Sequence, residues 1–412
     1  MKKLFLFFLA LLFPLAACSP QSTPAPYTVN NEFGWGCVLG DYYYEDFGAR
    51  TVYLTPDGKR EGLCRDPLCT HSYEADGLCP DVAAMATKSF TTDGTRLYFA
   101  SIMIWQANAG LKRGIYSILP DGTDFKMLYE GEIAPNNSWD LVVSDGYLYF
   151  VEGHFNEDYD PSSGWMKVTD QYGYIFRIPV NGGRAEQMTH DRADVGSAFT
   201  VYRNILCRVR VGQDGNLAIE RIDLGTGETE WIPLPGEMEG AWPRFLDGVL
   251  YLTAGEYSHT LEADRGDGST ASTSGRNWFL YRLVGDEWEC LAESESRFVF
   301  AGDEVWFVRD GEPEYLGTKA FPTGKGSETV DRDIFDTHAR RLFALDLKTG
   351  ETAELSLSAD IAPSESVELT AVGETVVYMM LSDPHLLLEG KPSKTLVCAD
   401  RKTLSVIWRC DP

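Results

Sequence analysis

Two short stretches of this 412-residue chain decide its fold. Residues 145–150 read Asp-Gly-Tyr-Leu-Tyr-Phe, and residues 174–183 read Tyr-Ile-Phe-Arg-Ile-Pro-Val-Asn-Gly-Gly. Because glycine takes positive φ at little cost, the Asp-Gly and Asn-Gly pairs predict tight turns. The aromatic and β-branched residues beside them are typical of strands on a half-buried sheet. Together the two stretches predict a β-hairpin bounded by turns.

The same unit recurs along the chain. Its openings fall at residues 40, 93, 145, about 202, 247, 302 and 373, so the mean step is about 55 residues. The second strands of six copies span residues 51–54, 115–118, 174–178, 279–283, 342–345 and 396–399. The fourth copy lacks the Gly/Asp opening but keeps the strand Ile205-Leu206-Cys207 and the turn Gly225-Thr226-Gly227. The sequence therefore contains seven copies of one β unit.

A further strand is predicted before each opening and another after each closing turn, which makes four strands per unit. A lone four-stranded sheet would expose two apolar faces, whereas radial stacking of such sheets buries both. We therefore predict an all-β fold, a single β-propeller of four-stranded blades, over residues 33–412. Seven blades are favoured over six or eight. Unrelated hairpins in a β-sandwich would not account for seven regular copies.

An aromatic-rich first strand, a second strand such as Tyr281-Arg282-Leu283 and an Asp-Gly turn resemble the repeats of two propeller types. These are the TolB type and the YWTD type of the low-density-lipoprotein receptor. The chain more closely resembles a group of bacterial lipoproteins that carry such propellers and have no assigned function. The resemblance covers roughly residues 33–410. The YWTD tetrapeptide is absent, so the resemblance implies a fold and not that receptor's ligands.

The charge of the chain excludes some functions. It carries 62 acidic and 36 basic residues, a formal net charge of −26. Such a chain is not a general nucleic-acid binder, because phosphate repulsion would be uncompensated. The charge also disfavours a lasting electrostatic attachment to anionic lipid. Hydrophobic residues make up 44%, which excludes a globally disordered chain.

Residues 1–17 are predicted to be a lipoprotein signal peptide. A basic pair precedes the apolar run 4–15, which is too short for a permanent membrane helix. The stretch Leu15-Ala16-Ala17-Cys18 resembles the bacterial lipobox, and the resemblance implies a diacylglycerol on the Cys18 thiol. An ordinary secretory signal that ends in a chance cysteine is the alternative.

Residues 18–32 are predicted to be a tether, because 19–26 are rich in Pro and Ser and cannot pack. The lipobox and the tether together place the chain on the extracytoplasmic face of the bacterial cell envelope. There it is anchored to the lipid bilayer through acylated Cys18. Loss of the two lysines of the signal peptide would change the net charge from −26 to −28.

The insertion at 62–90 carries the most chemistry. Cys64, Cys69, His71 and Cys79 have the spacing C-x4-C-x-H-x7-C. Three thiols and an imidazole are the ligand set of a tetrahedral structural zinc site, which would supply folding energy to a loop with little core. In an exported chain a disulfide between two of these cysteines is the rival interpretation. A catalytic zinc is disfavoured, because four protein ligands leave no open position.

The remaining cysteines are weaker signals. Cys207, Cys290 and Cys398 lie in predicted strands and are interpreted as buried apolar residues. Cys37 and Cys410 lie near the two ends of the repeat array, which a propeller must bring together. A disulfide between them would clasp the ring.

Four further insertions interrupt the repeat, and insertions at the rim of a rigid ring carry function more often than blades do. They span residues 154–171, 258–277, 313–340 and 383–394. Residues 264–275 are rich in Ser, Thr and Gly and predict a mobile polar loop. Acidic clusters in two insertions offer oxygen ligands for calcium, with a solvated loop as the favoured interpretation. These clusters are Glu157, Asp158 and Asp160, and Asp331, Asp333 and Asp336.

Most aromatic residues fall in predicted strands and belong to the core. Five tryptophans are predicted at strand ends or in connections, where an indole ring is available to stack on a ligand. They are Trp35, Trp105, Trp139, Trp165 and Trp242.

The sequence contains no G-x-S-x-G, H-E-x-x-H or Walker motif. Our first hypothesis is therefore a monomeric, surface-displayed propeller that binds a glycan, a peptide or an envelope protein and catalyses nothing. The second is a polysaccharide lyase or hydrolase with carboxylates in the central channel as acid and base. The third is a scaffold of an envelope assembly complex, by analogy at the level of the fold.

Overall fold

The computed structural model describes residues 36–46, 51–71, 79–84, 90–101, 114–131, 141–160, 165–190, 198–212, 214–238, 240–265, 269–309, 314–322, 329–336, 341–362, 365–391 and 393–410. The predicted signal peptide, the tether with Cys18, and Trp35, Trp105 and Trp139 lie outside these ranges. Within them, no helix has the length and apolar character needed to cross a membrane.

Seven four-stranded antiparallel sheets follow one another along the described residues, and each is one blade. Blade 1 comprises β1 (Gly36–Leu39), β2 (Tyr42–Asp46), β3 (Thr51–Leu54) and β4 (Arg60–Gly62); blade 2 comprises β5 (Phe90–Thr92), β6 (Leu97–Ser101), β7 (Gly114–Ile118) and β8 (Lys126–Glu130). Blade 3 comprises β9 (Val142–Ser144), β10 (Tyr147–Asp160), β11 (Trp165–Pro179) and β12 (Glu186–Gln187); blade 4 comprises β13 (Phe199–Tyr202), β14 (Ile205–Val211), β15 (Leu217–Asp223) and β16 (Thr229–Pro233).

Blade 5 comprises β17 (Gly240–Leu246), β18 (Val249–Asp264), β19 (Thr270–Val284) and β20 (Glu287–Ser294). Blade 6 comprises β21 (Val299–Ala301), β22 (Glu304–Arg309), β25 (Arg341–Asp346) and β26 (Thr352–Leu355), with the separate hairpin β23 (Glu314–Pro322) and β24 (Thr329–Asp336) between its second and third strands. Blade 7 comprises β27 (Ser366–Val372), β28 (Val376–Ser382), β29 (Lys394–Asp400) and β30 (Val406–Cys410). Two short helices, α1 (Pro80–Ala84) and α2 (Pro384–Glu389), complete the described elements.

The first strands of the blades lie side by side at the centre of a ring. In every blade the strands are ordered along the sheet as they are along the chain. β5 contacts β1 and β9, β13 contacts β9 and β17, and β27 contacts β21 and β1; blades 5 and 6 meet through β20 and β22. Since β27 contacts β1, the last blade closes on the first. The predicted all-β propeller of four-stranded blades is confirmed, and the described residues contain seven such sheets.

The predicted openings lie between the first and second strands of the blades. At the opening of blade 3, Asp145 and Gly146 take φ of 49° and 78°, and positive φ at both positions is what a tight hairpin turn requires. In blade 4, which lacks the Gly/Asp pair, Arg203 takes φ of 53° in the same place. The turn of blade 4 therefore keeps a positive φ although it lacks the Gly/Asp pair.

Seven apolar clusters fill the seams between neighbouring blades of the described structure. Because successive side chains of a strand point to opposite faces, one strand supplies two seams. On β6, Leu97 and Phe99 pack toward blade 1, whereas Tyr98 and Ala100 pack toward blade 3. The apolar strands of the repeat are thus explained by burial on both faces.

The seam between blades 7 and 1 is joined by side chains, because no strand of the described residues is shared between two blades. The Asp41 carboxylate accepts hydrogen bonds from the Thr375 backbone N–H at 2.7 Å and from its hydroxyl at 2.6 Å. The Tyr378 hydroxyl donates to the Asp41 carbonyl at 2.5 Å. Tyr43 and Tyr378 stack with ring centroids 5.2 Å apart.

The structure does not contain the disulfide considered between Cys37 and Cys410, since both thiols are free. Cys37 lies on β1, at the inner edge of blade 1, whereas Cys410 lies on β30, at the outer edge of blade 7. Three interstrand spacings of about 4.8 Å separate the inner and outer edges of a blade. The two ends of the array meet, but not through these side chains.

The prediction that the other three strand cysteines are buried is confirmed for two of them. Cys207 and Cys398 are buried, and burial raises the pKa of each thiol to about 12. Cys290 is exposed, contrary to the prediction. It lies on β20, the outer strand of blade 5, where part of the sheet surface faces solvent.

The predicted mobile loop at 264–275 is wrong for most of its length. β18 continues to Asp264 and β19 begins at Thr270, and the arms pair as Ala263 with Ala271 and Asp264 with Thr270. Threonine favours strands when a partner strand is present. The local composition indicated a loop because the pairing partner is supplied by the other arm of the hairpin.

The contacts at the closing seam predict that Asp41→Ala destabilises the ring. Removing this acceptor deletes two hydrogen bonds that cross the seam, and because Thr375 is exposed to water we expect a loss of about 1 kcal/mol. Asp121 is a matched control, because its carboxylate accepts from the N–H and hydroxyl of Thr123 within a single turn. Urea unfolding should show a larger effect for Asp41→Ala than for Asp121→Ala. Equal effects would contradict a special role of the closing seam.

Candidate metal centre and insertion face

The structure brings the four predicted metal ligands together. We call these residues the Cys3His quartet: Cys64, Cys69, His71 and Cys79. Their ligand atoms all lie within 4.8 Å of one another, and Cys79 Sγ lies 3.5 Å from His71 Nδ1. Among the described residues, the quartet is the group of three or more His, Cys, Asp and Glu side chains whose ligand atoms lie close enough together to hold a metal ion.

Short local structures place the ligands. Cys64 is the second residue after β4. A turn in which the Cys69 N–H donates to the Asp66 carbonyl at 3.1 Å brings Cys69 back toward it. His71 takes φ of 52°, a left-handed conformation. Cys79 directly precedes α1, and its carbonyl accepts from the Ala83 N–H at 2.9 Å.

A buried carboxylate supports the quartet. Asp81, in the first turn of α1, is only 3% exposed. Its Oδ1 accepts from the Cys64 N–H at 2.9 Å, and its Oδ2 lies 3.3 Å from His71 Nδ1. A Cβ on Gly62 would come within 2.5 Å of Asp81 Oδ2, so the carboxylate needs glycine there. Asp81 is absent from the sequence-based prediction; its only signal is its position two residues after Cys79, in Cys-Pro-Asp.

The quartet fits a tetrahedral zinc ion. With Zn–S of about 2.3 Å and Zn–N of about 2.05 Å, tetrahedral angles place S and N about 3.6 Å apart. The observed Cys79 Sγ to His71 Nδ1 distance is 3.5 Å. The described cysteines form no disulfide. A disulfide would need only two thiols and would not explain why the third thiol, the imidazole and Asp81 converge on the same point.

The quartet lies in the seam between blades 1 and 2. Cys64, Cys69 and Cys79 pack in the apolar cluster that also contains Leu39 of blade 1 and Phe99 of blade 2. The helix α1 contacts β3 of blade 1 and β6 of blade 2. An open cavity of about 350 Å³, lined in part by the three cysteines, connects the quartet to solvent.

The remaining insertions lie on one face of the ring. In a four-stranded up-and-down sheet, the connection between strands 2 and 3 leaves at the end opposite to the other two turns. We call this end the insertion face, and it carries the extensions of β10/β11 and β18/β19, the β23/β24 hairpin and α2. These are residues 152–160, 165–173, 256–264, 270–277, 314–322, 329–336 and 384–389.

The insertions of blades 5, 6 and 7 join into one wall. Arg265, at the tip of the blade 5 hairpin, forms an ion pair with Asp333 of the blade 6 hairpin at 2.5 Å, and its guanidinium lies 5.4 Å from the Tyr315 ring. On the other side of that hairpin, the Lys319 ammonium donates to the Leu387 carbonyl of α2. The three insertions therefore support one another.

The predicted acidic cluster of blade 6 lies on a strand and not in a solvated loop. Asp333 accepts from Thr318 Oγ1 at 2.8 Å in addition to pairing with Arg265, and these interactions hold the pKa of its carboxyl below the usual value. Asp336 is 2% exposed, with its Oδ2 3.6 Å from His385 Nε2. Asp331 is exposed on the same strand. Glu157, Asp158 and Asp160 lie on β10.

Two of the candidate tryptophans fall in the described residues, and one of them lies at a strand end, as predicted. Trp165 begins β11. Trp242 is the third residue of β17, where it is half-buried and packs against Trp278 with ring centroids 5.4 Å apart. The proposed ligand contacts of all five tryptophans stay predictions.

No protein-family model and no curated protein matches the chain. Solved structures with a similar fold include an oligogalacturonate lyase from Vibrio parahaemolyticus, 11% identical with a TM-score of 0.45 over 90% of this chain and 89% of that one. A puromycin-hydrolyzing peptidase from Mycobacterium tuberculosis is 14% identical with a TM-score of 0.47, over 94% of this chain and 55% of that one. TolB from Acinetobacter baumannii is 12% identical with a TM-score of 0.35, over 92% and 81%. Identities this low are uninformative about activity or substrate.

Because the Asp81 carboxylate accepts a hydrogen bond from the Cys64 N–H, we predict that it stabilises the fold even when no metal is bound. In the presence of a chelator, we expect Asp81→Ala to lower the free energy of unfolding by about 1–2 kcal/mol, because the part-buried Cys64 N–H loses its charged acceptor. Asp81→Asn keeps an oxygen acceptor and should cost less. Urea unfolding of the two variants makes the comparison. A loss in Asp81→Asn as large as in Asp81→Ala would contradict the hydrogen-bond explanation.

Proposed function

We propose that this chain is a lipid-anchored β-propeller of the bacterial cell envelope that binds a ligand or protein partner through its insertion face and catalyses nothing. The observation that carries the proposal is the wall formed by the insertions of blades 5, 6 and 7. Its members are joined by Arg265 to Asp333 and by Lys319 to Leu387. The opposite face carries short turns, whereas four of the five insertions lie on the insertion face.

A braced wall on a rigid ring suits recognition, because a preformed surface loses little conformational entropy on binding. Turn chemistry in the blade 7 insertion adds to that rigidity. Asp383 caps α2 by accepting from the His385 N–H at 2.9 Å, and Gly390 ends the helix with φ of 78°. The wall is therefore held by hydrogen bonds within its members as well as between them.

The blade 6 hairpin displays the side chains that binding surfaces favour. Phe321 is half-buried, with the Lys319 ammonium 5.9 Å and the Arg332 guanidinium 5.6 Å from its ring centroid. Aromatic and arginine side chains are enriched in protein interfaces, and aromatic rings provide a large apolar surface with a defined orientation.

The anchor is supported by the sequence alone, through the lipobox and the tether. A thioether-linked diacylglycerol at Cys18 would hold the propeller at the membrane while residues 19–32 keep it at a distance. Extracytoplasmic display follows from the signal peptide. A surface that faces outward is then available to glycans, peptides or other envelope proteins.

Lipidation predicts that Cys18→Ser abolishes membrane attachment. Metabolic labelling with a fatty-acid analogue and detergent phase partitioning should show label and detergent-phase recovery for the wild-type chain and neither for the variant. Cys290→Ser changes an exposed thiol on β20 and should behave as wild type. A wild-type chain without label, cleaved at a different residue, would show that the segment is an ordinary secretory signal.

The binding proposal can be tested by removing the blade 6 hairpin. Arg309 and Arg341 are directly opposed in the ladder of β22 and β25. An Asn-Gly turn in place of residues 310–340 would therefore keep the four-stranded blade. We expect the variant to retain the thermal unfolding transition but to lose partner cross-linking in native envelopes, or glycan and peptide binding on arrays, by about tenfold or more.

A double variant on the opposite face, Asp57→Ala with Lys59→Ala, is the control and should bind as wild type. Undiminished binding by the hairpin-deleted chain would refute the assignment of the insertion face. If the chain cleaves a polysaccharide, and substitution of one carboxylate in the central channel abolishes that cleavage, the enzyme hypothesis would replace the proposal. Stoichiometric co-purification with an envelope complex would favour the scaffold.

A further inference from the structure

We propose that the Cys3His quartet binds one structural Zn²⁺ ion and that this ion clamps blade 1 to blade 2. The inference does not depend on the function of the insertion face. It stands on the convergence of the four ligand atoms within 4.8 Å, on their place in a seam, and on the short elements that carry them.

The chemistry of the quartet selects zinc. Three thiolates and one neutral imidazole are soft to borderline donors, and a tetrahedral set of S and N ligands is the preferred environment of Zn²⁺. On binding, the three thiols release their protons to solvent as the Zn–S bonds form, and no oxidation state changes. The bound site would carry a net charge of −1, with Asp81 beside it. Four protein ligands leave no position for substrate, so the ion would be structural.

Asp81 orients a ligand in this site without being one of the quartet. Its Oδ1 holds the Cys64 N–H at 2.9 Å, which fixes the backbone from which the Cys64 thiol projects. Glycine at 62 lets the carboxylate approach, because an added Cβ would lie 2.5 Å from Asp81 Oδ2. Hydrogen bonds of this kind around metal ligands commonly change metal affinity by about 10–100-fold when removed.

The ligands lie in the connection between blades 1 and 2. Cys64 follows β4, the outer strand of blade 1, whereas Cys79 directly precedes α1, which contacts both β3 of blade 1 and β6 of blade 2. The elements themselves are short: β4 has three residues and α1 has five. Neither length is stable on its own, so a metal that joins them would supply folding energy to the segment.

The segment also fits closely against the next blade. A Cβ on Gly122, in the turn between β7 and β8, would lie 2.6 Å from the Leu63 carbonyl and 2.5 Å from Arg65 Cγ. The backbone beside Cys64 thus rests directly on blade 2. An ion bound by Cys64 would therefore also hold this contact between the segment after β4 and blade 2. This is what we mean by a clamp.

Metal content of the full chain, purified without added metal, tests the site. We expect about one zinc ion per chain by elemental mass spectrometry. Cys64→Ser should lose most of that zinc, whereas Cys290→Ser, which changes an exposed thiol outside the quartet, should retain it. Cobalt titrated into chelator-stripped wild-type protein provides a second readout that does not depend on the folding of Cys64→Ser. Thiolate-to-cobalt charge transfer and tetrahedral ligand-field bands are the expected result.

Two results would overturn the zinc site. One is a metal-free native chain whose intact mass is lower by two hydrogen atoms, which would reveal a disulfide. The other is stripped wild-type protein in which cobalt gives no thiolate absorption although the cysteines are reduced. Either outcome leaves the binding proposal for the insertion face untouched, because that proposal uses no residue of the quartet.

Hydrogen exchange of the wild-type chain with and without chelator tests the clamp. Removal of zinc should increase exchange in residues 60–71, 79–84 and 97–101, and leave blade 5 unchanged. Unchanged exchange in those segments, in a chain shown to have lost its zinc, would refute the clamp. Restoration of protection by added Zn²⁺ is the matching positive result.

Discussion

Each blade of this propeller is a sheet with two apolar faces, and neither face is stable in water. The chain meets this constraint by burying every face against a neighbour, which produces seven apolar clusters in seven seams. A ring is the arrangement that leaves no blade at an end. Because no described strand is shared between blades, the seam between blades 7 and 1 depends on side chains, chiefly Asp41, Tyr43 and Tyr378. The rest of the structure requires that this last seam stays closed.

The repeat could be predicted because its signals are local. A turn that needs positive φ and an aromatic strand beside it lie within about ten residues, and Asp145-Gly146 or Asp247-Gly248 report them directly. The insertions could not, because their strands depend on pairing with a second arm. Thr270 lies in a strand only because Asp264 is opposite. The outward position of Cys290 depends on which face of β20 is covered, and no local pattern carries that information.

The candidate metal centre also contains residues that could be predicted from the sequence and one residue that could not. The quartet was visible because thiols and imidazoles are rare and their spacing is short. Asp81 was not, because an acidic residue at the start of a short helix is ordinary in a chain with 62 acidic residues. Only the fold shows that its carboxylate is buried and receives the Cys64 N–H. Supporting residues of this kind are defined by position in space, whereas ligands are defined by their chemistry.

Blade 1 takes part both in the seam that closes the ring and in the seam that contains the quartet. Since no described strand is shared between blades, the ring can open only by separating a seam. No blade-to-blade connection of the chain crosses the seam between blades 7 and 1, so blade 1 depends there on side-chain contacts. On the side of blade 7, Asp41 and Tyr378 supply hydrogen bonds across the gap. On the side of blade 2, the fourth strand of blade 1 has only three residues. The insertion with the quartet fills that seam, so a metal ion there would stabilise the blade where its own sheet is shortest.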